Sequence, residues 1–123
     1  MPHPYHMLIA EDSDAIRGLL ARLLVRIYPT VTISAVADGT HALALYHQRG
    51  ADILIANVHL HILSGLDLVR TLRAQHATVP ILLLSSDSTM AQIAIAAGAD
   101  RFVVKQPGML QALEQALLAL LRV

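Results

Sequence analysis

Polar residues directly follow four of the short apolar runs in this chain, and their types could do chemistry together. Glu11 and Asp12 follow the first run, and Asn57, Ser85 and Lys105 follow three later ones. Adjacent carboxylates suit a hard cation such as Mg²⁺, which takes oxygen ligands in an octahedral shell. A hydroxyl and a lysine at the same place suit the oxygens of a phosphoryl group. The pattern therefore indicates a cation and phosphoryl site, provided that the fold brings these residues together.

Two alternating patterns predict the elements that must position these residues. Mostly unbroken apolar runs indicate parallel strands buried on both faces, and they cover residues 7–10, 31–36, 53–56, 81–84 and 102–104. Apolar residues at three- and four-residue steps indicate helices, and these cover residues 14–27, 40–49, 64–75, 88–97 and 109–122. Five strand–helix pairs predict one parallel sheet with right-handed crossovers and helices on both faces.

Short local signals agree with these boundaries. Gly50 and Gly98 stand just past predicted helix ends, where a left-handed cap favours glycine. Ser64 followed by Asp67 has the form of a capping box at the start of a helix. Ligands of such sheets bind beyond the carboxyl ends of the strands, at the point where the strand order reverses. The polar residues that follow the strands are therefore expected at one edge of the sheet.

The composition limits the classes of protein to consider. Hydrophobic residues make up 55% of the 123 residues and charged residues 15%, which predicts a well-filled core and a single domain over residues 1–123. Nine basic and nine acidic residues give a net charge of zero, so this domain is not expected to bind nucleic acid. No apolar run is long enough to span a membrane, and the absence of cysteine fits a cytoplasmic protein.

The order of the polar residues, with the strings that flank them, resembles the receiver domain of bacterial response regulators. The matching strings are ADILIANV, VPILLLSS and AGADRFVVK, and the resemblance covers essentially the whole chain. It implies a CheY-like, flavodoxin-like α/β fold: a doubly wound, five-stranded parallel sheet with strand order 2-1-3-4-5 and five helices. It also implies protein partners in a two-component pathway, where a histidine kinase normally donates the phosphoryl group.

The resemblance implies roles for individual residues. In the family, an acid pair and an acceptor aspartate hold Mg²⁺, and these positions match Glu11, Asp12 and Asn57. The positions that bind the phosphoryl oxygens match Ser85 and Lys105. Because one of the three metal ligands is a neutral amide, we expect no required cofactor and at most weak Mg²⁺ binding at the acid pair.

The chain departs from the family pattern around its switch. The family's switch residue is an aromatic three positions before the lysine, which matches Phe102. Asn57 stands at the acceptor position, and its carboxamide is not an anionic nucleophile that could form an acyl phosphate. The loop over residues 59–64 lacks the usual Pro-Gly and acidic residue, and Gln106 precedes Pro107 where the family has a cis bond between lysine and proline. These departures predict a degenerate receiver without that cis bond.

The same residues allow simpler interpretations. Glu11 and Asp12 could cap the first helix, because acidic residues favour helix N-termini. Lys105 could form a salt bridge to one of these acids. Asn57 could instead hydrogen-bond Lys105 and mimic a neutralised acceptor.

Two histidines lie close to Asn57 in the sequence. The spacing of His59 and His61, with the nearby acids, permits a Zn²⁺ site. The simpler interpretation is two surface histidines on a loop.

The last two helices carry more apolar residues than one face of a sheet needs. In the family, these helices and the fifth strand form the usual output and dimerisation face. We therefore predict a homodimer or partner interface there, with the candidate residues Met90, Ile93, Ile95, Leu113, Leu117 and Leu120. The alternative is a plain Ala/Leu-rich composition.

These features predict a phosphorylation-independent pseudo-receiver that acts as a protein-interaction or dimerisation module in bacterial two-component signalling. One alternative is a conventional phosphorelay receiver in which Asn57 is engineered or Asp12 is the acceptor. Another is a small-ligand or metal sensor that uses the vestigial pocket. An enzyme is not expected, because the sequence shows no evident nucleophile–base pair and no glycine-rich loop that opens a helix.

Overall fold

The computed structural model describes residues 5–121 of the chain. Its strands are β1 (His6–Ala10), β2 (Thr32–Val36), β3 (Ile53–Asn57), β4 (Ile81–Ser85) and β5 (Arg101–Val104). Its helices are α1 (Asp14–Ile27), α2 (Gly39–Arg49), α3 (Gly65–Ala74), α4 (Ala91–Ala97) and α5 (Met109–Leu120). Within residues 5–121, no helix has the length and apolar character needed to cross a bilayer.

The five strands form one parallel sheet in the order β2-β1-β3-β4-β5. β1 lies between β2 and β3, so that Met7 pairs with Ile33 on one side and Ile53 on the other. The chain runs from β1 to β2 on one side and then crosses back to β3 on the other side of β1. The strand order therefore reverses between β1 and β3. The predicted doubly wound fold with five helices is confirmed.

Each face of the sheet is covered by its own core. Side chains alternate along β1, so Met7 and Ile9 pack with α1 and α5, whereas Leu8 packs with α2, α3 and α4. The inner strands β3 and β4 are buried throughout. The edge strands β2 and β5 contain exposed residues, so the prediction that all five strands are buried on both faces is wrong for these two. An edge strand has a neighbour on only one side, and the covering helices do not close over it.

Polar side chains set where the helices begin. Ser13 Oγ accepts a hydrogen bond from Ile16 N–H at 3.2 Å at the start of α1. Ser64 Oγ accepts from Asp67 N–H at 3.1 Å at the start of α3, which confirms the predicted cap. Such a bond satisfies one of the backbone donors that the first helical turn leaves free.

The helix ends agree less closely with the predictions. Gly50 and Gly98 follow α2 and α4 with φ values of 66° and 120°, as expected for their positions. α4 is shorter than predicted, because residues 88–90 form a single turn of 3₁₀ helix that Asp87 caps by accepting from Thr89 N–H at 2.9 Å. The predicted last residue of the fifth helix, at position 122, lies outside the described residues.

Candidate functional site at the carboxyl edge of the sheet

The predicted site residues meet at the carboxyl edge of the sheet. Glu11 and Asp12 directly follow β1, Asn57 and Ser85 end β3 and β4, and Lys105 directly follows β5. Because parallel strands all end at the same edge, residues far apart in the chain come within contact distance. Hydrogen bonds link the β1 acids to Lys105 and Asn57, which lie 94 and 45 positions away from them.

The centre of the site is an ion pair between Lys105 and Glu11. Lys105 Nζ donates a hydrogen bond to Glu11 Oε1, while Glu11 is fully buried. The predicted salt bridge is therefore confirmed. Burial raises the pKa of Glu11, although Lys105 counteracts this shift. The other carboxylate oxygen, Oε2, is buried and has no hydrogen-bond partner in the described part of the chain.

Asn57 contacts the second acid of the pair. Its Nδ2 group donates to Asp12 Oδ1 at 3.2 Å and to the backbone carbonyl of His59 at 2.9 Å. The expected hydrogen bond from Asn57 to Lys105 is therefore wrong, because the lysine reaches Glu11 and the amide hydrogens find acceptors elsewhere. Partial burial raises the pKa of Asp12, but hydrogen bonds with Glu11 and Asn57 outweigh it, and the net direction is downward.

The acid pair does not cap α1. Ser13 takes that position, since its hydroxyl accepts the backbone hydrogen bond described above. The interpretation of Glu11 and Asp12 as helix caps is thus wrong. Glu11 instead lies beneath the pocket and Asp12 is exposed at its surface.

Ser85 lies at the end of β4, and Phe102 lies within β5, three positions before Lys105. Ser85 is fully buried, and its Oγ accepts from Asp87 N–H at 3.0 Å. Phe102 is half-buried and packs against the core that α2, α3 and α4 cover. Lys105 donates its backbone N–H to the carbonyl of Ser85 at 2.9 Å. No peptide bond within residues 5–121 is cis, as expected from the extra Gln106.

The two histidines of the β3–α3 loop do not form a metal site. His59 and His61 are both exposed, and residues 5–121 contain no group of three or more His, Cys, Asp or Glu side chains placed to hold a metal ion. The Zn²⁺ site that the spacing permits is therefore wrong, and the simpler interpretation of two surface histidines on a loop is confirmed. His61 pairs through its backbone with Asp38, and His59 lies near Asp87, whose pKa is lowered mainly by hydrogen bonds from Thr89.

The loop that carries these histidines has one feature that the sequence did not suggest. Ile62 has φ of 69°, a left-handed conformation that a β-branched residue adopts only under strain. Its side chain is 85% exposed, so burial does not compensate for that strain. The missing Pro-Gly of the family pattern was the available signal, since glycine is the residue that tolerates such a conformation.

The predicted α4–β5–α5 interface is partly corrected by the structure. Leu113 and Leu117 are 0% exposed and lie in the core, because their four-residue spacing places them on the stripe of α5 that faces the sheet. Leu120 and Met90 are half-buried against the two cores. Full burial removes Leu113 and Leu117 from the predicted contact surface, whereas Met90 and Leu120 stay partly accessible.

The region of α4, β5 and α5 exposes fewer apolar residues than the sequence predicted, and they are more scattered. Ile93 and Ile95 are exposed on α4, as predicted, and Leu118 is 55% exposed on α5. Ile93 and Ile95 flank the buried Ala94, so they point to opposite sides of the helix, about 200° apart. The sequence prediction missed Leu118, which follows the buried Leu117 directly.

Sequence comparisons agree with this geometry. The family model described as response regulator receiver domain matches residues 7–117. Protein PetR of Rhodobacter capsulatus is 36% identical over 103 residues, which make up 83% of this chain and 43% of PetR. The chain thus spans less than half the length of that relative.

Solved structures share the fold. CheY4 of Vibrio cholerae superposes with a TM-score of 0.84 at 27% identity, over 97% of this chain and 100% of that chain. The receiver domain of the sensor histidine kinase PA1611 from Pseudomonas aeruginosa, whose structure has a magnesium ion coordinated in the active-site cleft, superposes with a TM-score of 0.82 at 22% identity, over 95% of this chain and 97% of that chain. With the family model matching most of its length, this chain belongs to the response regulator receiver domain family.

Proposed function

We propose that this domain is a phosphorylation-independent pseudo-receiver that acts as a protein-interaction module in bacterial two-component signalling. Receiver domains interact with histidine kinases or phosphotransfer proteins. The observation that carries the proposal is the engagement of Asn57, whose amide is held by Asp12 and His59 at the end of β3. A neutral carboxamide at this position does not form an acyl phosphate.

The neighbouring groups support a single state rather than a switch. Lys105 is paired with Glu11, and the hydroxyl of Ser85 is bonded to the backbone of its own loop. The ammonium group of Lys105, which would otherwise respond to a phosphoryl oxygen, therefore already has a partner. The side chains of the carboxyl-edge site hold one another in place through these hydrogen bonds, and we assign the site no catalytic role.

Magnesium is not required by this proposal. Glu11 and Asp12 are the residues that would hold it, and the free buried Oε2 of Glu11 is a suitable oxygen ligand. Lys105 already neutralises Glu11, and Asn57 adds no negative charge. Two carboxylates beside a lysine fit only weak binding of the cation, whose role would be to neutralise the acid pair.

The partner surface proposed here is the exposed part of α4, β5 and α5, and its occupant is a second copy of the chain. Ile95 on α4 and Leu118 on α5 are 50% and 55% exposed. Neither residue is charged, so pairing of two copies through them would bury apolar area. With a net charge of zero, the domain is assigned no nucleic-acid partner, and we place it in the cytoplasm.

Intact-mass measurement after incubation with a small-molecule phosphodonor and Mg²⁺ tests the proposal, on the parent protein and on Asn57→Asp. We expect no phosphoryl adduct on the parent. An adduct on Asn57→Asp alone would show that only the acceptor is missing, and no adduct on either would show that the surrounding loops have also lost the function. An adduct on the parent overturns the proposal.

The second candidate function is a conventional receiver with Asp12 as the acceptor. It is favoured by one observation, an exposed carboxylate whose pKa is lowered and which is therefore ionised at neutral pH. Fragmentation of any phosphorylated parent protein locates the adduct. Phosphate on Asp12, lost in Asp12→Asn, would establish this alternative.

Sedimentation equilibrium tests the second-copy interface. We expect dimers of the parent protein and weaker association for Ile95→Gln and Leu118→Gln, with unchanged circular dichroism. Gln48→Ala, at an exposed position of α2 outside the proposed surface, is the control. A parent protein that stays monomeric at high concentration contradicts this interface.

A further inference from the structure

A second group of reactive side chains lies at the opposite, amino-terminal end of the sheet. His6 begins β1, Ser34 is in the middle of β2, and Gly50 follows α2. His6 Nε2 lies 2.9 Å from Ser34 Oγ, and His6 Nδ1 lies 2.9 Å from the carbonyl oxygen of Gly50. Along β1, His6 is five residues, roughly 16 Å, from Glu11, and Ser34, which pairs with Leu8, is three residues, roughly 10 Å, from it.

The Gly50 carbonyl determines which nitrogen of His6 carries the proton. A carbonyl oxygen only accepts hydrogen bonds, so Nδ1 is the protonated nitrogen and donates to it. In the neutral ring, Nε2 is then left with its lone pair directed at Ser34. The serine hydroxyl donates to that lone pair, which is the orientation that a general base requires toward a nucleophile.

The position of the imidazole is fixed by its own backbone. His6 N–H donates to Asp52 Oδ2 at 2.7 Å, and Asp52 N–H donates to the carbonyl of His6 at 2.7 Å. With the bond from the ring to Gly50, three hydrogen bonds hold this residue in place. Pre-organisation of this kind lowers the cost of aligning a base with its nucleophile.

A cation completes the group. Arg49 NH1 lies 3.4 Å from Ser34 Oγ, and the Arg49 side chain is exposed at the end of α2. A guanidinium next to the attacking oxygen can stabilise the negative charge that develops on a carbonyl oxygen during attack. Ser34 is half-buried on an edge strand, so part of the residue is accessible from solvent.

We propose that Ser34 is the nucleophile of an acyl-transfer site that takes small activated esters, with His6 as its general base and Arg49 as the stabiliser of the oxyanion. Ser34 Oγ attacks the ester carbonyl carbon while its proton passes to His6 Nε2. When the carbon–oxygen bond to the leaving group breaks, the imidazolium returns that proton to the departing alkoxide. Water then hydrolyses acyl-Ser34 by the same exchange of a proton with His6, releasing the acid.

This site is independent of the proposed receiver function, because it uses none of the carboxyl-edge residues. Its test is labelling of the intact protein with an alkyl fluorophosphonate, in which a serine oxygen displaces fluoride from phosphorus. We expect one adduct, located on Ser34 by peptide mass mapping. Ser86 is exposed and forms no hydrogen bond with a histidine within residues 5–121, so it is the internal control and should remain unlabelled.

Three variants separate reactivity from folding. Ser34→Ala should lose the adduct, and His6→Gln should slow labelling at least about a hundredfold, since general bases contribute on that order. Arg49→Gln changes an exposed side chain, and should slow labelling about tenfold or more. Circular dichroism establishes that each variant is folded. Labelling of Ser34 that is unchanged in Arg49→Gln and in folded His6→Gln, or no labelling of Ser34 in the parent, overturns the proposal.

Discussion

The side-chain amide of Asn57 donates a hydrogen bond to Asp12 Oδ1 at 3.2 Å, at the point where β1 and β3 end side by side. The same nitrogen donates to the carbonyl of His59, so both amide hydrogens are used. With an amide at this position, the contact with the acid pair is attractive. With a carboxylate there, three negative groups would meet beside a single lysine.

We therefore expect Asn57→Asp to destabilise the domain in the absence of divalent cations. The change removes two hydrogen bonds from a side chain that is almost fully buried and adds a repulsive charge beside Asp12. The loss in free energy of unfolding should be about 2 kcal/mol by urea titration in the presence of a chelator.

Magnesium should reverse that effect selectively. In Asn57→Asp the third carboxylate adds a ligand, so millimolar Mg²⁺ should restore stability, whereas the parent should respond much less. Equal stabilisation of both proteins by Mg²⁺ would show that the charge at position 57 does not control the cation.

The buried carboxyl of Glu11 predicts an unusual pH dependence. Burial raises the pKa of Glu11 in the folded protein above its ordinary value of 4.5. Between 4.5 and the raised value, the folded protein still binds a proton that the unfolded chain has released, so the free energy of unfolding falls as the pH rises. The lowered pKa of Asp12 acts in the opposite direction, but only below pH 3.8.

Denaturant titrations between pH 4.5 and pH 7 check this slope. Glu11→Gln should remove the contribution of Glu11, and Glu114→Gln, a half-exposed glutamate on α5, should leave it in place. Parallel curves for the parent and Glu11→Gln would contradict the raised pKa.

The strained backbone at Ile62 predicts a stabilising substitution. Glycine adopts φ of 69° without steric cost, and little apolar burial is lost because the Ile62 side chain is 85% exposed. The greater freedom of glycine in the unfolded chain offsets part of the gain, so Ile62→Gly should raise the free energy of unfolding by about 0.5–1 kcal/mol. Ile62→Val retains the β-branch and should show no gain. A loss of stability in Ile62→Gly would mean that the left-handed conformation is not strained.

The guanidinium of Arg73 joins the end of α3 to the starts of β4 and β5. It donates to the carbonyls of Ala77, Val79 and Gly98 at 2.8–3.0 Å and to the carboxylate of Asp100 at 3.0 Å. Arg73→Met keeps the aliphatic packing but removes the donor from the three carbonyls, while Asp100 still accepts from Ile81 N–H at 2.8 Å. We expect a loss of about 3 kcal/mol, measured by urea unfolding.

Arg70 is the matched control for Arg73, because both arginines lie on α3. Arg70 pairs with Asp67 at 3.1 Å in an exposed i,i+3 ion pair. Such a pair contributes little, so Arg70→Met should change stability by no more than about 0.5 kcal/mol. Comparable losses in the two variants would show that the contacts of Arg73 add nothing beyond an ordinary surface pair.

The sequence predicted the strands well because an inner parallel strand must be apolar on both faces. β3 and β4 match their predicted runs to within one residue. The sequence predicted α4 less well. Residues 88–90 are capped by a hydrogen bond between Asp87 and the backbone two positions later, and apolar spacing does not reveal such a bond. The sequence also chose Leu113 and Leu117 for the surface, because an apolar helix does not itself show which stripe faces the sheet.

In a parallel sheet, every residue that directly follows a strand lies at one edge, so the sequence alone predicts which residues of the site come together. The contacts between them, Lys105 with Glu11 and Asn57 with Asp12, are set by the folded structure. Partner choice depends on side-chain reach over a few ångströms, which a linear pattern does not encode. The sequence did not predict the contact of His6 with Ser34 either. These two residues are 28 positions apart, and the register between β1 and β2 brings them together.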